Sequence, residues 1–316
     1  MSGLISSHPL GETGITVSDI ALGTDYYGKT VSRQQAFGLL DTYMEAGGNI
    51  VDTAHVYADY LPGERHSSEK TIGQWLRERG CRKEIIISSK GGFPMLEDYH
   101  KSRLSYHEVL SDLEGSLECL GVDYIDLYWL HRDDERIEVG CLVEMLNDFK
   151  KKGMIRCFGA SNFKSSRIAE AKLYAEKHGL EGFCASQIKW GLATTAKNAE
   201  YDDTLQEMDD LHYRFHKETN FPLFAYASQA KGFFSKVFFN EHGNCDMPPG
   251  KCKDRYFCEE NVTLYKKLYK LSEETGMPVA EIALRKMISE SFPVTCIVGS
   301  KTQEHLKLSL SAAMNK

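Results

Sequence analysis

The 316-residue sequence is short of several things. No stretch approaches 18 uninterrupted apolar residues, so no membrane-spanning helix is expected. The opening MSGLISSHPLGETG contains no apolar core of the kind a secretory leader needs. Positive charge is in deficit: 38 Lys and Arg against 45 Asp and Glu give a formal charge of -7. No dense basic cluster offsets it, which disfavours nucleic-acid binding. The nine cysteines form no C-x-x-C pair, and Cys157, Cys184 and Cys296 fall inside strand-like runs, where a reduced thiol behaves as a small hydrophobe. A reducing, cytoplasmic setting without a disulfide framework is the expectation. No two of the 26 glycines are separated by a single residue, so the dinucleotide fingerprint G-x-G-x-x-G is excluded. Any dinucleotide must be bound in another way.

What is present is a rhythm. Eight apolar, β-branched runs end in small or polar residues: 18–24, 48–54, 84–90, 124–131, 155–161, 183–189, 222–228 and 294–300. Most are near-continuously apolar, as suits strands buried on both faces of a parallel sheet. Helix-like segments separate them. SRQQAFGLLDTYMEAGG opens on a Ser cap signal and closes on glycine, and SSEKTIGQWLRERG offers Ser67 or Ser68 as an N-cap with Glu69 in the first turn. Strand and helix alternating eight times predict an α/β fold, a (β/α)₈ barrel forming one domain over residues 1–316. A doubly wound open sheet is the alternative. Residues 1–16 are turn-rich and predict a hairpin capping the barrel bottom. Residues 232–258 predict a long loop after the seventh strand, of the kind that is usually a lid or disordered.

In such a barrel, residues at strand C-termini face the active-site mouth. Asp52, Lys90 and His131 stand at the ends of runs two, three and four, and Tyr57 follows Asp52 by five residues. A free tyrosine, with a pKa of about 10, is a poor acid at neutral pH. A neighbouring lysine cation favours the phenolate, an aspartate holds that lysine, and a histidine donor can orient a carbonyl. The set suits proton delivery to an oxygen becoming an alkoxide. Each residue also has a plainer role: Asp52 as a turn residue, Lys90 as a loop cation, Tyr57 as one of sixteen tyrosines, and His131 as a core histidine.

The stretches LGETGITVSDIALGT, GGNIVDTAHVY, IIISSKGG, LGVDYIDLYWLHRDD, GMIRCFGASNF, SQIKW, FAYASQAKG and IVGSKTQEHL follow one another in the order found in aldo-keto reductases, and the chain resembles that family over nearly its whole length. The resemblance implies a nicotinamide cofactor and reduction of aldehydes or ketones. It implies Tyr57 as general acid, Lys90 and Asp52 as the groups lowering its pKa, and His131 as the group orienting the carbonyl. Gly23, Thr24 and Asp25 would line the cofactor. Ser161, Asn162 and Gln187 would hold the nicotinamide carboxamide, with Tyr226 stacked on the ring. Ala227, Ser228, Gln229, Ala230 and Gly232 would bring backbone to the diphosphate, with charge from Lys236 and Arg255. Gly299, Ser300, Lys301, His305 and Ser309 would surround the adenosine end. There the chain departs from the family, which usually has Arg or Gln at His305 and Glu-Asn at Leu308 and Ser309. Lys301 and His305 favour NADP, with NAD as the alternative.

Tyr26, Tyr27, Phe93, Trp129, Arg132 and Trp190 are the candidate substrate contacts. Aromatic planes beside polar groups suit a sugar-like or polyol-like carbonyl, a small-molecule substrate rather than a nucleic acid or membrane. Other readings stay open. GTDYYGKT (23–30) fits the P-loop expression of a nucleotide hydrolase, but its adjacent tyrosines and aspartate are bulky and anionic for a phosphate nest. Lys90 alone would suit a Schiff-base aldolase. His242, Cys245, Cys252 and Cys258 invite a zinc reading that their spacing does not support, so no metal is expected. Some relatives with all four groups act instead as channel-associated regulatory subunits.

Overall fold

The structure is a computed structural model that describes residues 4–199 and 202–314. Eight parallel strands close into a barrel in chain order: β1 (Ile20–Gly23), β2 (Ile50–Asp52), β3 (Ile86–Gly91), β4 (Ile125–Leu130), β5 (Ile155–Ser161), β6 (Ser186–Lys189), β7 (Leu223–Tyr226) and β8 (Val294–Val298), with β8 pairing back to β1. All eight fall on the expected runs, with β3 extending one residue beyond 84–90 to Gly91. The closed ring settles the choice between barrel and open sheet.

The outer helices are α1 (Arg33–Glu45), α2 (Ser67–Arg79), α3 (Tyr106–Leu120), α4 (Val139–Lys151), α5 (Ser165–His178), α6 (Asp210–Thr219), α7 (Glu259–Thr275), α8 (Val279–Ile288) and α9 (Gln303–Leu310). Ser32 and Ser105 start α1 and α3 with full capping boxes, paired with Gln35 and Glu108. At α2 the expectation of a serine cap fails. The N-cap is His66, in the left-handed conformation with φ 57°, and Ser67 and Ser68 lie inside the helix. Their hydroxyls donate instead to the carbonyls of Tyr27 and Thr24.

Strand side chains alternate between the barrel interior and the helix layer. The interior is filled by Ala21, Ile50, Leu127, Trp129, Cys157, Ala185, Phe224 and Ile297. Gly159 is required for this filling, because a Cβ there would lie 2.3 Å from the Trp129 ring and 2.9 Å from the Ala185 carbonyl. The barrel bottom is closed by a hairpin, Ser7–Pro9 paired antiparallel with Thr16–Ser18, whose Leu10, Ile15 and Val17 join the interior cluster. It starts later than the predicted 1–16, of which residues 1–3 lie outside the described part.

The segment after β7 is ordered. It contains a 3₁₀ turn (Ala230–Gly232), short helices (Phe233–Lys236 and Lys251–Tyr256) and a two-residue hairpin pairing Phe238–Phe239 with Cys245–Asp246. A second apolar cluster holds it: Phe233, Phe234, Val237, Met247 and Tyr256 pack with Tyr265 and Leu268 of α7 and Ile282 and Ala283 of α8. Among the described residues, no helix is long and apolar enough to cross a membrane.

Candidate active site

Strand alternation alone brings the key groups together. In β4, Leu127 and Trp129 point inward, so His131 does too, at the mouth. In β3 the inward series is Ser88 then Lys90; in β2 it is Ile50 then Asp52. The register sets Asp52 beside Ser88 and Lys90 beside Trp129. Tyr57 reaches the same point from a turn beyond β2.

The Lys90 ammonium has three N–H groups and all are engaged. Nζ donates to Asp52 Oδ2 at 2.6 Å, to the Thr53 carbonyl at 2.7 Å and to the Tyr57 hydroxyl at 2.9 Å. The direct Tyr57–Asp52 contact is 3.5 Å, at the limit for a hydrogen bond. The phenol oxygen therefore accepts from Lys90, and its own hydrogen is left for a third group. Asp52 Oδ1 accepts from Ser88 Oγ at 2.8 Å and Gln187 Nε2 at 3.1 Å. Ser88 Oγ in turn accepts from the Trp129 indole at 2.8 Å. A hydrogen-bonded line thus runs from the barrel core through Ser88 and Asp52 to Lys90 and Tyr57. Ser88 was not anticipated, although its position two residues before Lys90, on the same face of the strand, was the available signal.

Burial holds the Tyr57 phenol well above its usual value, reinforced by the Asp52, Asp25 and Tyr60 charges and opposed by Arg132. Lys90, which donates to both Asp52 and Tyr57, does not outweigh that burial. Burial also lowers the Lys90 pKa, against the pull of Asp52. His131 is pushed well below 6.5 by burial and then by the Arg132 and Lys90 cations, so its imidazole is neutral at neutral pH. Its ring lies 5.9 Å from that of Tyr57, centre to centre, and its Nδ1 is buried with no hydrogen-bond partner among the described residues.

The loop carrying Tyr57 is anchored by a stacked histidine pair, His55 on His66, with centroids 3.9 Å apart. Asp59 accepts from the His66 backbone N–H at 2.6 Å. This presents Tyr60 toward Asp25, whose carboxyl it influences. Burial raises the Asp25 carboxyl pKa, more than Tyr60 and the Lys90 and Lys231 cations lower it.

The residues expected around a nicotinamide line the same mouth. Asn162, left-handed with φ 61°, donates to the His131 carbonyl at 3.2 Å and to Ser161 Oγ at 3.1 Å. Its Oδ1 accepts from the Tyr226 hydroxyl at 2.6 Å. Beyond β7, Ala227 is left-handed, and Ala230, Lys231 and Gly232 are left-handed in succession although only the last is glycine. Such backbone is costly and marks ligand clamps; turns of this kind also form anion-binding concavities. Lys236 Nζ donates to the Lys231 carbonyl. Ala196 N–H donates to the Arg255 carbonyl, tying the β6 and β7 loops together. Ser228 Oγ donates to the Ile297 carbonyl, and Gln229 Nε2 to Ser309 Oγ at 2.7 Å. Gly23 is packed against Ile297, and Thr24 Oγ1 donates to the Asp52 carbonyl. Gly299 and Ser300 lead into α9, where Thr302 caps the His305 N–H and Lys301 lies over the Tyr26 ring at 5.9 Å. This chain of groups, from strand ends to a helix N-terminus, fits a nicotinamide dinucleotide.

Three expected substrate contacts do not reach the mouth. Tyr27 is fully buried between the β1 loop and the helix layer. Trp129 is a core residue one layer below His131. Trp190, two residues beyond the outward-facing Ile188, also faces outward and stacks on Phe292. Tyr26, Phe93 and Arg132 do border the mouth: Phe93 lies 4.8 Å from the His131 ring and Arg132 lies over Phe93 at 5.1 Å. A cleft of about 350 Å³ opens beside them. The 23–30 segment forms no phosphate nest, since Gly28 packs on Ser67 and Thr71 and Lys29 donates to the Pro62 carbonyl. Among the described residues, no three His, Cys, Asp or Glu side chains are grouped to hold a metal.

A family model described as the aldo/keto reductase family matches residues 19–316. The chain is 28% identical to norsolorinic acid reductase of Emericella nidulans over 314 residues, covering 95% of this chain and 75% of that protein. It is 27% identical to an aryl-alcohol dehydrogenase of Pestalotiopsis microspora, covering 89% and 69%. It is 26% identical to an uncharacterised oxidoreductase of Bacillus subtilis, covering 96% and 89%.

Proposed function

The chain belongs to the aldo/keto reductase family, oxidoreductases that use nicotinamide cofactors, and from that premise we propose that it reduces an aldehyde or ketone to the alcohol with Tyr57 as general acid and NADPH as the preferred reductant. The observation that carries this reading is the single Lys90 ammonium joined at once to Asp52 and to the Tyr57 hydroxyl. When bound, the nicotinamide supplies the hydride.

The chain's own residues do the rest. Neutral His131 donates a hydrogen bond that holds the carbonyl oxygen against Tyr57. The Tyr57 hydrogen, released from Asp52 by distance, is directed at that oxygen and transferred as negative charge develops. The remaining phenolate is stabilised by Lys90, which Asp52, Ser88 and Gln187 hold in place. Deep burial excludes competing water and strengthens each interaction.

Lys301 and His305 at the start of α9 support NADP over NAD, since a helix N-terminus with a cation beside it favours a phosphate. The half-buried Asp25, hydrogen-bonded to Tyr60, favours a substrate bearing hydroxyls that can donate to it, a sugar-like or polyol-like carbonyl compound. The test is oxidation of NADPH or NADH by the protein with a panel of simple and hydroxylated aldehydes. Tyr57→Phe is expected to lower turnover by about 10²–10⁴-fold, the usual contribution of a positioned acid, while cofactor binding persists. Full activity in Tyr57→Phe would remove the assignment. Cofactor binding without turnover of any carbonyl would point to a regulatory role instead.

A further inference from the structure

The 350 Å³ cleft adjoins the tetrad without containing it. Its walls come from four loops, after β3, β4, β5 and β6. It begins at the back of His131, whose carbonyl accepts from Arg132 Nη1 at 3.0 Å and from Asn162. An aromatic edge leads into it: Phe93 contacts the His131 ring at 4.8 Å and the Tyr99 ring at 5.7 Å. Tyr99 is 41% exposed at the cleft.

The cleft mixes polar and apolar lining, and most of its charges are paired. Arg132 faces Asp202 at 3.6 Å, Lys164 faces Glu135 at 2.6 Å, and Arg136 grips Asp134 at 2.7 Å. His100 of the β3 loop meets Asp203 of the β6 loop at 3.3 Å, joining two walls. Asp133 is paired with Arg167, so the lining holds no surplus of cations for a phosphate. An apolar ring would strip water from these groups and return no hydrogen bonds. A neutral ligand rich in hydroxyls both donates to the carboxylates and accepts from the cations, and its C–H face can lie on Tyr99.

We infer that this cleft is a subsite for an uncharged glycosyl unit attached beyond the reacting carbonyl, so that the preferred substrate is a glycoside rather than a bare keto sugar. As a statement about substrate, this rests on the reductase reading; as a binding site, it stands apart from it. The test uses the full chain loaded with NADP. Saturation-transfer NMR with a panel of methyl glycosides of α- and β-linked disaccharides, which have no carbonyl to reduce, reads the cleft directly. Binding is expected, weakened at least tenfold in Tyr99→Ala and in Asp203→Ala, both surface positions. In parallel, the ratio of kcat/KM for a glycosylated carbonyl over its unglycosylated counterpart is expected to fall at least tenfold in Tyr99→Ala. No binding across the panel, binding unchanged in both variants, or tighter binding of a glucose phosphate would overturn the subsite. Absence of NADPH oxidation with disaccharide binding intact would instead sink the reductase reading alone.

Discussion

In the proposed reduction, Tyr57 is an acid that stays loaded. Burial and three neighbouring anionic or phenolic groups keep its proton on well above the ordinary tyrosine value of about 10. The protonated form is the one that donates, so reduction is lost as pH rises through the Tyr57 pKa, not as it falls. His131, held well below 6.5, stays neutral from there upward. The expected kcat profile for reduction is therefore flat across the neutral range, with its falling limb above pH 10. A falling limb near neutrality, measured in overlapping buffers with saturating cofactor, would show that another group carries the proton. In the proposed reduction the Lys90 charge stabilises the phenolate that proton transfer creates.

At the scale of elements, α6 is instructive. Its buried positions are His212 and His216 rather than aliphatic residues, so no apolar stripe announced it, and residues 190–209 and the helix after them were not anticipated. His216 is packed among Phe215, Phe221 and Phe292. Its Nδ1–H donates to the Phe221 carbonyl at 2.7 Å, which leaves Nε2 to accept from Ser186 Oγ at 3.0 Å. Burial lowers its pKa from 6.5 to about 4. The unfolded chain therefore takes up this proton before the folded one does. Stability from the neutral imidazole is full above pH 6.5 and is lost as pH falls toward 4. Thermal melts across that interval are expected to show a steeper decline for the wild type than for His216→Gln; equal slopes would place the pH sensitivity elsewhere. The eight strands were legible because burial on both faces leaves continuous apolar runs. Trp190 was misread for a reason the same runs contain: alternation from Gln187 turns it outward. The Ser67 and Ser68 hydroxyls were misread because their partners, Thr24 and Tyr27, are some 40 positions away.

For the whole molecule, two cores matter. The barrel interior is continuous with the tetrad, whereas the segment after β7 rests on its own cluster with α7 and α8. Units with separate cores open separately. Amide exchange is expected to be faster across 230–258 than in β3 and β4, and to slow on addition of NADPH; uniform exchange would show that the segment and barrel open together. That contrast bears on how the protein can change over generations. The Trp129 indole, deep among packing residues, holds Ser88, and Ser88 holds Asp52, which the proposed reduction makes part of the proton-transfer machinery. A drifting core substitution elsewhere in a barrel would alter only stability, but here it is transmitted to the proton-transfer groups. Repacking this interior therefore acts on the groups around Asp52 as well as on stability, and an engineer seeking new substrates has freer ground in the mouth loops than in the centre.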